Sequence, residues 1–237
     1  QLGWGSRQRR IQAAELDSTS AIAEAIAQDK QLTKSLLTAA GVPVPEGVSV
    51  ETYEEAVEVM RRLDAPVVVK PRDGNQGKGV TTNVVSEDHL AVAVRAALEY
   101  SDDILVERFV PGHDHRLLVV GDKLVAAARR EPPHVIGDGV LTVRQLVDRV
   151  NADPRRGDGH ATSLTKIRFD EIAHARLGIQ GYEADSVPPQ GARVILRNNA
   201  NLSTGGTATD VTDDVHPELA RRAVEAAQMV GLDICDV

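Results

Sequence analysis

A strand that ends in a lysine, followed by a glycine-rich loop that leads into another strand, limits this chain more than any other feature. Pro66-Val67-Val68-Val69-Lys70 is a short run rich in β-branched residues, the composition of a buried strand, and it delivers Lys70 to its end at Pro71. Asp73-Gly-Asn-Gln-Gly-Lys-Gly79 follows, and the alternating stretch 80–85 reads as a second strand. A glycine loop that joins two strands opens no helix, which argues against both a Rossmann fingerprint and a Walker loop. It does suit a phosphate held by close backbone N–H groups: Gly74, Gly77 and Gly79 permit positive φ, Lys70 is a fixed cation and Lys78 a mobile one. The competing reading is a β-hairpin loop whose glycines serve only the turn.

Composition makes such local phosphate handling necessary. The formal charge of −8 argues against a general nucleic-acid surface, so any polyphosphate has to be held by a few placed cations. Hydrophobic residues make up 42% of the 237-residue chain but aromatics only 3%, so Val, Leu, Ile and Ala must fill the interior, as in layered α/β proteins, and platforms for stacking bases are scarce. The lone Cys235 forms no intrachain disulfide, and no apolar run is long enough for a membrane span; with no secretion signal in view, a reducing cytoplasm is the expected setting. The opening at Gln1 and the stop at Cys235-Asp236-Val237, as an apolar strand begins, read as an excerpt of a longer polypeptide.

Around the loop the pattern alternates between helix and strand. Residues 20–40 carry Ile22, Ile26, Leu36, Leu37 and Ala40 at helical spacing, with Ser18, Thr19 and Ser20 as cap candidates and Gly41 as a stop. Helices are expected over 52–63, 87–99, 142–150, 169–178 and 216–230, strands over 104–107 and 192–197, and a hairpin over 115–129 turning at Gly121-Asp122. The segment from about residue 131 to 190 is rich in Pro, Gly, Asp and His and reads as an inserted subdomain.

Three further groups carry chemistry. Lys30 alone reads as a solvated helix charge and gains weight from what lies downstream. Ile104-Leu-Val-Glu107 runs into Arg108-Phe-Val-Pro-Gly-His-Asp-His-Arg116, so Glu107 and Asp114 flank a short hinge that can offer backbone groups to an adenine edge and a carboxylate to ribose; a surface turn with ordinary acids is the rival account. Asn199, Asn201, Ser203, Thr204, Gly205 and Gly206 form a polar loop able to cradle carboxylates, or an ordered core-edge loop. His113, His115, His134 and His160 show no zinc spacing and read as substrate-contacting or structural.

Taken in order, Asp29-Lys30 opening a helix, Gly41-Val-Pro-Val-Pro45, Val-Val-Lys70-Pro with its loop, and Val-Glu107-Arg-Phe-Val-Pro-Gly112 resemble the ATP-grasp superfamily. Longer strings, among them Lys70-Pro-Arg-Asp-Gly-Asn75, Gly112-His-Asp-His-Arg-Leu-Leu118, Asn151-Ala-Asp-Pro-Arg-Arg-Gly157, Leu164-Thr-Lys166 and Asn201-Leu-Ser-Thr-Gly-Gly-Thr-Ala208, are similar to the cyanophycin synthetase family within it. The resemblance implies an α/β ATP-grasp fold, two α+β subdomains clasping ATP between mixed or antiparallel sheets, with an inserted smaller subdomain. Its expected divisions are a connecting segment 1–29, the start of the core 30–65, a lid 66–107, the core at 108–131 and 191–237, and the insert 132–190.

The function implied is a carboxylate–amine ligase that uses ATP and Mg2+ to phosphorylate the C-terminal carboxylate of a poly-aspartate primer and join L-aspartate to it. A separate Mur-ligase-like region would add L-arginine, and the full-length protein is expected to be a homo-oligomer, with no nucleic acid or membrane partner. By the same resemblance Lys30, Lys70, Gly74, Asn75, Gly77, Lys78, Gly79, Glu107, Phe109, Val110 and Asp114 meet ATP. Lys70, Arg116, Arg129 and Arg197 serve the transferred phosphate or substrate carboxylates, and the 199–206 loop binds substrate. Two departures stand out. The family loop has a Gly-Asn-His-Gly-Arg-Gly form where this chain has Gln76 and Lys78, and the Glu-x-Asn metal element is absent, leaving Asp233 and Asp236 as the acids nearest the expected metal position. Glutathione-synthetase-like or D-alanine–D-alanine-ligase-like enzymes, and a nucleotide-binding module without catalysis, are the alternatives.

Overall fold

The computed structural model describes residues 3–12, 15–72, 79–159 and 162–237. They form two compact units: Gln1–Gly112 with Leu117–Val125 and His216–Val237, and His113–Arg116 with Ala126–Val215.

The first unit opens with a short antiparallel pair, β1 (Ile11–Gln12) and β2 (Glu15–Leu16), then α1 (Ala21–Gln28) and α2 (Lys30–Ala39). The helical stretch read over 20–40 is thus two helices. Asp29 is extended, ends the first helix and caps the second by accepting from Gln31 N and Leu32 N, both at 3.0 Å. β3 (Gly47–Val50), α3 (Tyr53–Leu63), β4 (Val67–Pro71), β5 (Thr81–Val84), α4 (Glu87–Leu98) and β6 (Ile104–Arg108) follow. The strands make an antiparallel sheet in the order β3-β6-β4-β5. Thr52 and Ser86 cap α3 and α4, whose apolar faces cover one side of the sheet against Val67, Val69, Ile104 and Val106. Because side chains alternate along a strand, Lys70, Leu105 and Glu107 emerge on the other side.

β7 (Asp114–Val120) and β8 (Lys123–Glu131) form the expected hairpin, with Gly121 at φ +61° in its turn. The turn end belongs to the first unit and the open end to the second.

The second unit continues with β9 (His134–Ile136), α5 (Val143–Asn151), the two-residue parallel pair β10 (Arg156–Gly157) and β11 (Leu164–Thr165), α6 (Glu171–Ile179), β12 (Arg193–Ile195) and β13 (Thr207–Asp210). Its core joins Val135, Val143, Leu146, Val147, Ile167, Leu177, Val194 and Leu196. β12 pairs with β9, so 192–197 packs with the segment read as an insert; the boundaries fall near 126 and 215 where 132 and 190 were expected. Likewise residues 47–63, expected within the start of the core, go with β4 to β6, because β3 pairs with β6 and α3 packs on their sheet. α7 (Pro217–Val230) and β14 (Ile234–Asp236) return to the first unit, where β14 pairs with β7 and Ala223 and Ala227 pack on Val119.

Candidate functional site

In the β4–β6 register Lys70 stands opposite Leu105 and Val68 opposite Glu107, so Lys70 and Glu107 are diagonal neighbours on one face of the sheet. Lys70 Nζ lies 2.6 Å from Glu107 Oε2. Lys34, one turn beyond Lys30 on α2, reaches Glu107 Oε1 at 2.7 Å. The Glu107 side chain is 8% exposed, the ammonium groups of Lys34 and Lys70 sitting on chains 19% and 30% exposed. Burial alone would raise the Glu107 pKa; hydrogen bonds from Lys34 and Lys70 and their charges outweigh it and hold the carboxyl below its ordinary value. Gly47, directly opposite Glu107 on β3, leaves the space for this cluster: a Cβ there would stand 2.6 Å from Glu107 Cγ.

Lys30 Nζ donates to the carbonyl of Arg72 at 3.0 Å, just before the glycine loop, and Arg72 is fixed by Asp103 at 2.8 Å. Lys30, Lys34, Lys70 and Glu107, with Leu37 and Val44, line a cleft of about 260 Å3. A cleft with three lysines around one carboxylate carries surplus positive charge on an apolar floor, which suits a phosphorylated ligand. Gly74, Asn75, Gly77 and Lys78 lie outside the described residues. Gly79 has φ +67°, and a Cβ there would meet Pro71 and Tyr100 at 2.8 Å, so packing alone requires glycine at that end of the loop. Beyond β6, Phe109 N donates to Pro66 O at 2.8 Å and Val110 is exposed.

The predicted residues Asp114, Arg116, Arg129, Arg197 and the 199–206 loop lie in the second unit. Asp114 and Arg116 are exposed at the start of β7 beside His113 and His115, whose rings meet edge-on with centroids 6.5 Å apart. Arg129, on β8, has its Nε buried without a hydrogen-bond partner, a donor that an anionic ligand would complete. Arg197 forms an ion pair with Asp170, whose carboxylate also caps α6 through Ala173 N. Arg197, Ser203 and Thr204 line a cavity of about 180 Å3. Thr204 Oγ1 lies 2.9 Å from Asn199 Oδ1 and 3.0 Å from Asn201 O. Gly205 (φ +98°) and Gly206 are close-packed: side chains there would come within 2.9 Å of Ile167 Cα and 2.8 Å of Glu131 O. His160 lies outside the described residues, and His134 Nδ1 is 2.8 Å from Pro132 O.

Three residues important to these sites escaped the sequence reading. Lys34 had a signal, its i+4 spacing from Lys30. Arg130 donates through Nε to Ala200 O at 3.0 Å, and buried Arg156 donates through Nη1 to Thr165 O at 2.6 Å and Gly205 O at 3.0 Å, so two arginines fix the 199–206 loop by its carbonyls. No sequence spacing points to those contacts.

Asp233 accepts hydrogen bonds from Ser18 and Thr19 hydroxyls, both at 3.0 Å, and ties the N-terminal stretch to the turn before β14. Among the described residues no group of three His, Cys, Asp or Glu could hold a metal ion. Asp233 and Asp236 are two acids and do not by themselves make up such a group.

Comparison with known proteins follows the same lines. A family model described as RimK-like ATP-grasp domain matches residues 27–134. Cyanophycin synthetase from a Nostoc species is 46% identical over 237 residues, 99% of this chain and 26% of its own. The glutathione biosynthesis bifunctional protein of Clostridium perfringens is 36% identical over 95% of this chain and 29% of its own. The crystal structure of a bifunctional glutathione synthetase from Pasteurella multocida superposes with a TM-score of 0.63 at 35% identity, over 94% of this chain and 30% of that one. The chain thus spans under a third of the length of each of these proteins.

Proposed function

The chain belongs to the ATP-grasp superfamily and aligns with cyanophycin synthetase along nearly all its length, and from that premise we propose that it is the aspartate-adding ligase region of such an enzyme. ATP-grasp ligases use ATP with Mg2+. In the proposed reaction a carboxylate oxygen at the primer's C-terminal aspartate attacks the γ-phosphorus of ATP, the bond to the β–γ bridging oxygen breaks, and ADP leaves. The neutral amine of L-aspartate then attacks the acyl carbon; inorganic phosphate departs and the amine proton passes to solvent. Both steps bring anions together, so fixed cations and positioning supply much of the rate.

The observation that carries this reading is the cleft in which buried Glu107 holds Lys34 and Lys70, with Lys30 beside them. Glu107 fixes the direction of Lys70 before any phosphate arrives, which lowers the ordering cost of binding. This gives Glu107 a positioning role in place of a direct contact with adenine as its main task. Arg129 and Arg197, with the 199–206 loop, supply donors for phosphate and carboxylate. No helix among the described residues is long and apolar enough to cross a membrane, and with the lone Cys235 a cytoplasmic, oligomeric full-length enzyme is the setting we propose.

The test is ADP release by the full-length protein given ATP, Mg2+, a short aspartate-ended primer and either aspartate or arginine, beside Lys70→Ala. Aspartate-dependent release that drops by about a hundredfold or more in the variant is the expected result. Nucleotide binding without turnover under either amino acid would leave a non-catalytic module, and dependence on an amino acid other than aspartate or arginine would place the chain with glutathione-synthetase-like ligases.

A further inference from the structure

We infer that Lys166 and Arg168, together with Arg197, form a dicarboxylate-binding wall that selects the incoming L-aspartate; this rests on the ligase reading above and adds the residues that read the substrate. In the sequence Lys166 stands out only as the end of the Leu164-Thr-Lys166 string, and Arg168 not at all. What brings them together is Asn151, the last residue of α5. Its side-chain Nδ2 donates to Ile167 O at 2.9 Å and its Oδ1 accepts from Ile167 N at 2.8 Å. One amide thus satisfies both backbone groups of Ile167, as a neighbouring strand would, and holds the Ile167 side chain, 4% exposed, in the core. Lys166 N is fixed as well, by Gly157 O at 3.0 Å. With Thr165 and Ile167 buried, the intervening Lys166 and the following Arg168 line the cavity of about 180 Å3 that also holds Arg197, Asp170, Ser203 and Thr204.

Charge and size both point to a small dianion. The lining contains three cations, Lys166, Arg168 and Arg197, against the single carboxylate of Asp170, a surplus of two positive charges. Aspartate poised to attack has a neutral amine and two carboxylates, a charge that matches the surplus. Asp158 Oδ2 lies 3.4 Å from Lys166 Nζ, but that pair is solvent-exposed at 41% and 73% and is easily displaced by a ligand. The cavity is smaller than the roughly 300–1,000 Å3 that drug-sized ligands occupy, which favours one free amino acid over a polymer end. The Ser203 hydroxyl adds a neutral donor on the same wall.

The experiment uses the full-length enzyme with ATP, Mg2+ and primer, and compares wild type with Lys166→Gln, Arg168→Gln and Arg168→Lys. Losing one charge-assisted contact should raise KM for aspartate by about tenfold to a hundredfold, with KM for ATP and primer changing by less than about twofold. The preference for L-aspartate over L-asparagine, which lacks the second charge, should fall by a similar factor, and Arg168→Lys should recover part of it. Arg168 is exposed, so the melting temperature should stay at the wild-type value. An unchanged KM for aspartate in both Gln variants overturns the inference, as does a rise confined to the primer, which would make the cavity an acceptor site. An equal rise in KM for ATP overturns it too, since the residues would then serve phosphate. Absence of aspartate-dependent ADP release from the wild type instead overturns the ligase reading itself.

Discussion

Glu107 joins two lysines through one buried carboxylate, so its contribution depends on whether that carboxylate carries a proton. Its folded pKa lies below the ordinary value of 4.5, which means the stabilisation is complete above that value and is lost as pH falls through the lower folded one. Glu107→Gln should therefore cost about 2 kcal/mol at neutral pH, and the gap to wild type should narrow as the pH falls below the ordinary carboxyl value, read from thermal melts across pH. Lys34→Met and Lys30→Met should separate in kind. The first removes a partner of Glu107 and costs about 1 kcal/mol in denaturant titrations; the second costs less and acts mainly on nucleotide affinity. Lys70 and Glu107 were legible as candidates because each ends an apolar strand. Lys34 carried only its i+4 spacing from Lys30, since a helix lysine reads as a solvated charge until a carboxylate 73 positions away is folded beside it. The glycine loop, the clearest motif in the sequence, has only Gly79 among the described residues.

At the level of elements, caps decide where the chemistry-bearing helices begin. Asp29→Ala removes the acceptor for two α2 amides and should cost about 1 kcal/mol, with a rise in KM for ATP because Lys30 is the first residue of that helix. Asn151→Ala should cost about 1–3 kcal/mol through the unsatisfied Ile167 backbone, and should raise KM for aspartate more than KM for ATP in steady-state assays. Helices with a hydroxyl cap ahead of an apolar stripe, at Thr52, Ser86 and Thr142, were readable within a residue or two. The break at Asp29 was obscured because apolar spacing continues on both sides of it. The pairing of β12 with β9 was beyond the sequence: the two strands are nearly 60 positions apart and nothing in their composition names a partner.

Each unit of the whole molecule has its own apolar core, Leu63 and Leu90 with Val67 and Val106 in the first, Leu146 and Leu177 with Val194 and Leu196 in the second. Leu146→Ala should cost about 2–5 kcal/mol, and native-state hydrogen exchange should then accelerate chiefly at amides of β9, α5 and β12 while those of β3 to β6 keep their protection. The layered α/β organisation was legible from the low aromatic content and alternating patterns; the course of the chain out of the first unit and back was not. That course orders events during synthesis. α2, which carries Lys30 and Lys34, packs against α7. On a ribosome, residues 126–215 have all emerged before α7 follows, so the second unit can close while α2 still lacks one of its supports. The lysine platform therefore gains the support of α7 only after residues 126–215, with the whole 199–206 loop among them, have left the ribosome.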